Sequence, residues 1–312
     1  MRANLDFYRK ATARNIGLIT EAEQENLRVS TVAIAGMGAV GGNYLLTLAR
    51  LGVGRFVIAD GDVYEPANLH RQAGAFVSTL GRNKAEVMAA MVRDINPDAE
   101  IRVLAEPVTA GNVDAFLDGA DVVVDGIDFF QLDARRILFE KAREKGLYAL
   151  TSGPVACGAT LQVFDPNGMS FDAYFGIRPD MTRAERLACF IVGLLPKLPK
   201  GRNLDMSRVD VLGEKGPALA PAVMLCAGVM GVEVMRVLLK RGSLRCVPHA
   251  FHFDALGRQF TRSRHRHGRV RLLDKLARHV LFKRLPALAT LHRQELDGRA
   301  TADGLCAAGE AC

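Results

Sequence analysis

Between Val32 and Lys84 an apolar strand runs into Gly36-Met37-Gly38-Ala39-Val40-Gly41, a helix follows, and a second apolar strand ends on Asp60. Strand, glycine turn, helix and strand in this order make a mononucleotide-binding βαβ unit, whose crossover is right-handed. Gly36 permits the tight turn, Gly38 lets a phosphate approach the backbone, and Gly41 lets the helix pack against the strand. The start of the helix then offers unpaired N–H groups and the positive end of its dipole to phosphate. For the loop alone NAD is the commonest ligand, and Asp60 suits a ribose hydroxyl whichever nucleotide is bound.

The rhythm continues along the chain. Residues 1–29 read as helical, with Thr20 and Glu23 spaced as a capping box. Strands are predicted at 31–35, 55–60, 100–104, 121–125, 147–151 and 160–164. Helices are predicted at 41–51, 83–94, near 111–117 and at 131–145, the second of them stopped by Asn96-Pro97. The alternation implies an α/β fold: a Rossmann-like, doubly wound, mostly parallel sheet with helices on both faces. An irregular insertion at 168–217 surrounds one apolar helical stretch near 183–195. A helix at 220–240 is apolar almost all round and is expected to be buried. His249–Asp254 and Arg258–Thr261 form an antiparallel closing hairpin, on which His249 and His252 read as sheet residues. The expected parts are a helical segment at 1–30, a nucleotide-binding subdomain at 31–165 and a substrate-side part of the same domain at 166–261. Residues 262–312 add a basic amphipathic segment and, from 285, a small-residue tail expected to be poorly ordered.

With 312 residues, 49% hydrophobic and 24% charged, the chain has material for one large α/β domain plus additions. No secretory leader is legible in Met1–Lys10, and the apolar stretches read as interrupted before membrane-spanning length, so a cytoplasmic protein is expected. None of the six cysteines forms a C-x-x-C pair, so neither a zinc site nor a dithiol motif is expected. The net charge of +7 is local: nine basic residues face only Asp274 between 262 and 284, so that segment carries +8 and the remainder −1.

A polar set sets this βαβ unit apart from a redox dinucleotide fold: Asp62, Asn68, Arg71, Gln72 and Lys84. Arg71 suits phosphate as a fork and Lys84 as a point charge, while Asn68 and Gln72 can donate to phosphate oxygens. Asp128 lies just past the apolar run Val122-Val123-Val124-Asp125, at the sheet edge where ligands bind and where a carboxylate can hold Mg²⁺.

These motifs resemble the HesA/MoeB/ThiF family, adenylyltransferases related to the activating enzymes of ubiquitin-like proteins. The resemblance runs over roughly residues 10–260 apart from the insertion. It is carried by the glycine loop, Asp60 to Gln72, Gly81-x-x-Lys84, Ile95-Asn96-Pro97, Asp128, Ser152-Gly153, Ala220-Pro221 with the helix bearing Glu233, and Phe253-Asp254-Ala255. Arg14-Asn15 looks like the family's arginine that reaches the phosphates of a partner subunit.

The resemblance implies ATP and Mg²⁺ as cofactors and a likeness in chemistry: a carboxylate attacks the α-phosphate to give an acyl-adenylate and pyrophosphate. A carboxylate is already ionised at neutral pH, so positioning and charge stabilisation replace a general base. Arg71, Lys84, Asp128 and, across a homodimer, Arg14 would be catalytic. Gly36, Gly38, Gly41, Asp60, Asp62, Asn68 and Gln72 would bind the nucleotide, and Asp128 the Mg²⁺. The implied substrate is the C-terminus of a ubiquitin-like or sulfur-carrier protein, or a peptide.

Some residues depart from the family pattern. Ala39 replaces a glycine, Gly42-Asn43 replaces Gly-Ser, Phe129 replaces the asparagine after Asp128, and the zinc-binding cysteine pairs are missing. A covalent role for Cys189 or Cys157 is weighed against the buried-thiol reading, which the apolar run around Cys189 favours. The segment 262–284 places Val270, Leu273, Ala277, Val280 and Leu281 on one side of a helix, suited to a membrane surface, an acidic partner or docking on the protein itself. Without interleaved aromatics, nucleic acid is not an expected partner of that segment. Competing functions are an NAD(P)-binding oxidoreductase, adenylation of a small or RNA-borne carboxylate, and a non-catalytic nucleotide-binding scaffold.

Overall fold

The computed structural model describes residues 5–194, 205–269 and 272–309. Helices α1 (Leu5–Thr12) and α2 (Glu21–Val29) come first, joined through a short 3₁₀ turn. Thr20 caps α2 as predicted, accepting from Glu23 N at 3.2 Å while Glu23 accepts from Thr20 N at 2.8 Å. Then follow β1 (Thr31–Ala35), α3 (Ala39–Leu51), β2 (Arg55–Ala59), α4 (Lys84–Ile95), β3 (Glu100–Leu104), α5 (Val113–Phe116), β4 (Val122–Asp125), α6 (Leu132–Glu144) and β5 (Tyr148–Thr151). The second half comprises β6 (Pro154–Val155), β7 (Gly158–Phe164), α7 (Phe171–Phe175), α8 (Arg183–Leu194), α9 (Ala220–Leu238), β8 (His249–Asp254), β9 (Gln259–Arg264), α10 (Leu272–Arg284) and α11 (Pro286–Gly309).

The strands form one sheet in the order β3-β2-β1-β4-β5-β7-β8-β9, with β6 folded onto β7. Pairing is parallel from β3 to β5 and antiparallel from β7 onward. Val32, Ile34, Val122 and Val124 are sealed between the sheet and α3, α4 and α9 through Leu45, Leu48, Met88, Val92 and Met230. The other face meets α5 to α8, where Phe139, Phe164, Phe171, Tyr174, Phe175 and Phe190 form a buried aromatic cluster. Fully burying side chains of this size stabilises the fold by about 1.5–3 kcal/mol each. Phe171, Tyr174 and Phe175 of the insertion are therefore core residues, not surface offered to a partner.

Three expectations need correction. Helix α9 is buried along Ala222, Val223, Cys226, Ala227, Met230 and Val234, yet Met224 and Val232 on its other side are more than half exposed. Its apolar run is interrupted by Glu233 and Arg236, as expected, and it packs along α3 and β7. The tail after 285, expected to be poorly ordered, is helical over Pro286–Gly309. Its helix is tied to the start of α8: His292 Nδ1 lies 3.0 Å from Thr182 Oγ1, and Glu295 accepts from Ala184 N at 3.1 Å. In α10, Ala277 and Leu281 pack inward and Val280 is half-buried, but Leu273 points to solvent; Val270 lies outside the described residues.

Candidate active site

The strand order reverses between β1 and β4, so a crevice opens at the carboxyl ends of these two strands. Gly36 turns the chain there with φ +87°, and any side chain on it would strike the Gly126 backbone that follows β4. A side chain at Gly41 would collide with the Gly36 carbonyl. Gly38 differs: a Cβ there would meet only Gln72 Nε2, at 3.9 Å. The loop is thus closed where helix meets strand and open where a phosphate would approach.

Asp60 follows β2 and is 9% exposed. Its carboxylate accepts from Met37 N at 2.6 Å and from Asp62 N at 2.8 Å, tying the glycine loop to the next loop. Burial pushes its pKa up, and those two backbone N–H groups oppose the shift. Lys84 opens α4 and is 7% exposed; its Nζ lies 2.8 Å from Asp62 Oδ2. Asn83 caps the same helix and also donates to Asp60 O at 3.1 Å, so one turn positions both Lys84 and Asp60.

Asn68 and Arg71 come from the loop after β2. Asn68 Oδ1 accepts from Glu65 N at 2.9 Å, which holds the loop and leaves its amide N–H groups to donate. Arg71 Nη1 donates to Ala67 O at 2.9 Å. Burial lowers the Arg71 pKa, and the negative charge of Asp128 opposes that shift. Gln72 is 7% exposed, and its Oε1 is buried with no hydrogen-bond partner. Asp128 is exposed; its Oδ1 accepts from Phe130 N at 3.0 Å.

Sequence reasoning missed what holds Asp128. Arg135 on α6 is 4% exposed and donates to Asp125 Oδ2 at 2.7 Å and to Ile127 O at 2.6 Å. It stacks on Phe190 of α8, 4.7 Å from the ring centroid. Thr151 Oγ1 donates to the same Asp125 oxygen at 2.7 Å. A carboxylate and a guanidinium buried together fix the 125–128 turn. The available signal was Asp125 itself, a charge at the end of an apolar strand that needed a buried partner.

Other expected residues stand elsewhere. Arg14 is exposed in the turn after α1. The adjacent Asn15 donates to Leu51 O at 3.1 Å, at the C-terminal end of α3. The glycine loop is at the other end of that 13-residue helix, about 20 Å away. Cys189 is 1% exposed in α8, and burial raises its thiol pKa against the opposing charge of Arg278. Cys157 is half-buried in the turn between β6 and β7. Gln131 Nε2 donates to Glu214 Oε2 of the insertion at 2.6 Å, so the insertion borders the Asp128 turn. Among the described residues, no group of three or more His, Cys, Asp or Glu side chains is gathered around a common point.

The doubly wound sheet, the glycine loop at its strand-order reversal and the buried Lys84 beside Asp62 place the chain in the class of Rossmann-like proteins. The sequence model of the ThiF family matches residues 12–271, and the chain belongs to that family. It is similar to the tRNA threonylcarbamoyladenosine dehydratase of Bacillus subtilis, at 39% identity over 117 residues, 37% of this chain and 46% of that relative. It is also similar to the SAMP-activating enzyme E1 of Haloferax volcanii, at 32% identity over 219 residues, 70% of this chain and 71% of that enzyme. The chain therefore spans about half of one relative and seven-tenths of the other. In fold it is similar to the crystal structure of Escherichia coli MccB with ATP, with a TM-score of 0.61 at 17% identity over 80% of this chain and 67% of MccB. Helices α10 and α11 lie beyond the family match.

Proposed function

We propose that this protein binds ATP with Mg²⁺ at the glycine loop and activates a carboxylate as its acyl-adenylate, releasing pyrophosphate. The observation that carries this reading is the open backbone at Gly38, which only Gln72 approaches, in a loop that Asp60 ties to the segment bearing Asp62 and its partner Lys84; Arg71 and Asp128 complete the set in this reading. Two cations, Lys84 and Arg71, suit a triphosphate whose pyrophosphate leaves with charge, more than the intact pyrophosphate bridge of a redox dinucleotide. Asp60 keeps lone pairs for a ribose hydroxyl after accepting two N–H groups, and the orphaned Gln72 Oε1 suits a second hydroxyl donor.

In the reaction an ionised carboxylate oxygen bonds to the α-phosphorus. The bond from that phosphorus to its bridging oxygen breaks, and pyrophosphate leaves with the electron pair. Arg71 and Lys84 stabilise the charge that develops on the phosphates. Asp128 has a free carboxylate oxygen beyond its bond from Phe130 N and suits Mg²⁺ in the usual manner, as one carboxylate completed by phosphate and water. When bound, the ion neutralises charge on the phosphate oxygens. Arg14 is too far from its own loop to contribute, so in this reading it serves the nucleotide of the other subunit of a homodimer.

The acceptor is the carboxyl terminus of a small carrier protein or peptide, the chemistry implied by the SAMP-activating relative. A second reading, an RNA-borne carboxylate, is favoured by the dehydratase similarity. Exchange of labelled pyrophosphate into ATP tests both, with a carrier ending in Gly-Gly or with carboxylate-bearing tRNA as acceptor. Thermal stabilisation by NAD(H) but not by ATP–Mg²⁺ would sink the proposal; ATP binding without exchange for any acceptor would leave a scaffold.

A further inference from the structure

Helix α10 leans on α8 through Ala277 and Leu281, and Leu285 and Leu288 continue that contact. Arg278 faces the same way and donates to Cys189 Sγ at 2.8 Å. The helix's carboxylate is also turned inward: Asp274 is 7% exposed and lies 3.4 Å from the buried Arg269. On the opposite side Leu273 is 76% and Leu276 56% exposed, with Val280 half-buried beside them. At 100° per residue these three fall in one strip. Exposed Lys275, His279 and Lys283 border it on one side and exposed Arg284 on the other. Among the described residues of α10, the outward face is cationic and apolar and carries no carboxylate.

We propose that this face docks on the headgroup layer of an anionic lipid bilayer. A strip of leucines flanked by long basic side chains lets the apolar groups enter the layer while the lysine and arginine heads meet lipid phosphates. Leucines so exposed stand on a ridge, where a helical peptide would find no second wall to pack against; a bilayer surface closes around a ridge. The face belongs to a part of the chain beyond the family match, so it is independent of the adenylation reading. Two leucines and a few bases give reversible attachment only.

The chain contains no tryptophan, so Leu276→Trp in the full-length protein supplies a single indole reporter at the strip. Vesicles of phosphatidylcholine mixed with phosphatidylglycerol should shift its emission to the blue and carry the protein down on sedimentation, whereas pure phosphatidylcholine should do neither. Leu273→Ser should weaken this binding by about tenfold, and Lys283→Glu with Arg284→Glu by more than about tenfold. Added salt should release the protein. All four positions are exposed, and unchanged circular dichroism would verify that the variants are folded. Absence of a shift with the mixed vesicles, or binding indifferent to Leu273→Ser, would overturn the proposal. Equal binding to soluble polyglutamate without a blue shift would also overturn it, and would point to an acidic protein.

Discussion

Replacing Lys84 with Met separates the two things its ammonium can do. The Nζ lies 2.8 Å from Asp62 Oδ2, but the two side chains differ sharply in exposure, 8% against 75%. With one partner in water the pair is screened and contributes at most about 1 kcal/mol to stability. Met keeps the buried aliphatic stem, and the released Asp62 stays solvated. The unfolding temperature should therefore fall by no more than about 4 °C. For catalysis the ammonium is one preorganised electrostatic donor, whose loss costs about 2.7–4 kcal/mol of transition-state stabilisation, or about 10²–10³ in rate.

Pyrophosphate exchange at saturating acceptor, alongside thermal unfolding, reads both quantities from one preparation. Asp62→Asn should show the opposite bias. It strands the buried ammonium, costs about 1–3 kcal/mol of stability, and leaves more of the exchange rate than Lys84→Met does. If Lys84→Met kept exchange within about threefold of the parent, Lys84 would be a structural residue and its assigned role would fail.

Gly38→Ala should leave the protein folded and abolish ATP binding by calorimetry, because a methyl there meets only Gln72 Nε2 at 3.9 Å but occupies the phosphate approach. Gly41→Ala should destabilise the fold itself, by at least the 1–3 kcal/mol typical of overpacking, since its methyl would overlap the Gly36 carbonyl. Arg135→Met should cost about 3–5 kcal/mol in denaturant unfolding, because it leaves the buried Asp125 charge unpaired. Hydrogen bonds from Arg241 hold the Glu23 pKa down at about 2, from a usual 4.5. That stabilisation is present above pH 4.5 and is lost as pH falls through about 2, so thermal scans across this window should decline less steeply in Glu23→Gln than in the parent. Cys189→Ala should retain pyrophosphate exchange and all later acyl transfer; an acyl group trapped on the parent as a thioester with release of AMP, and absent from the variant, would instead make its buried thiol a participant.

The nucleotide half of the fold was legible because its signals are local. Glycine spacing, apolar runs of strand length and Asn96-Pro97 each act within a few residues, and β1, α3, β2 and α4 fall within a few residues of the predicted limits. The helix over 286–309 was not legible, because the bonds joining His292 and Glu295 to the start of α8 span 110 and 111 residues. Small-residue composition argued for irregularity, and tertiary contacts overrode it. Arg135 was missed for the same reason: on a helical face it reads as a solvated cation until β4 is placed beside it. The one-sided exposure of α9 was hidden because its apolar periodicity is nearly uniform.

The two sides of the crevice are held by different means. Lys84, Asp60 and Gln72 depend on the β2–α4 connection, stitched by bonds within it such as Asn83 to Asp60 O and Gln72 N to Asn68 O. Asp128 depends on Phe130, whose N–H it accepts and whose ring lies in the cluster formed by Ala184, Leu187, Leu281, Leu285 and Leu288. That cluster joins the insertion to helices beyond the family match. A change in packing among α8, α10 and α11 would therefore move Asp128 before it disturbed Lys84, Asp60 and Gln72. The β2–α4 side is thus held by bonds within one connection, while Asp128 answers to packing between the insertion and helices beyond the family match.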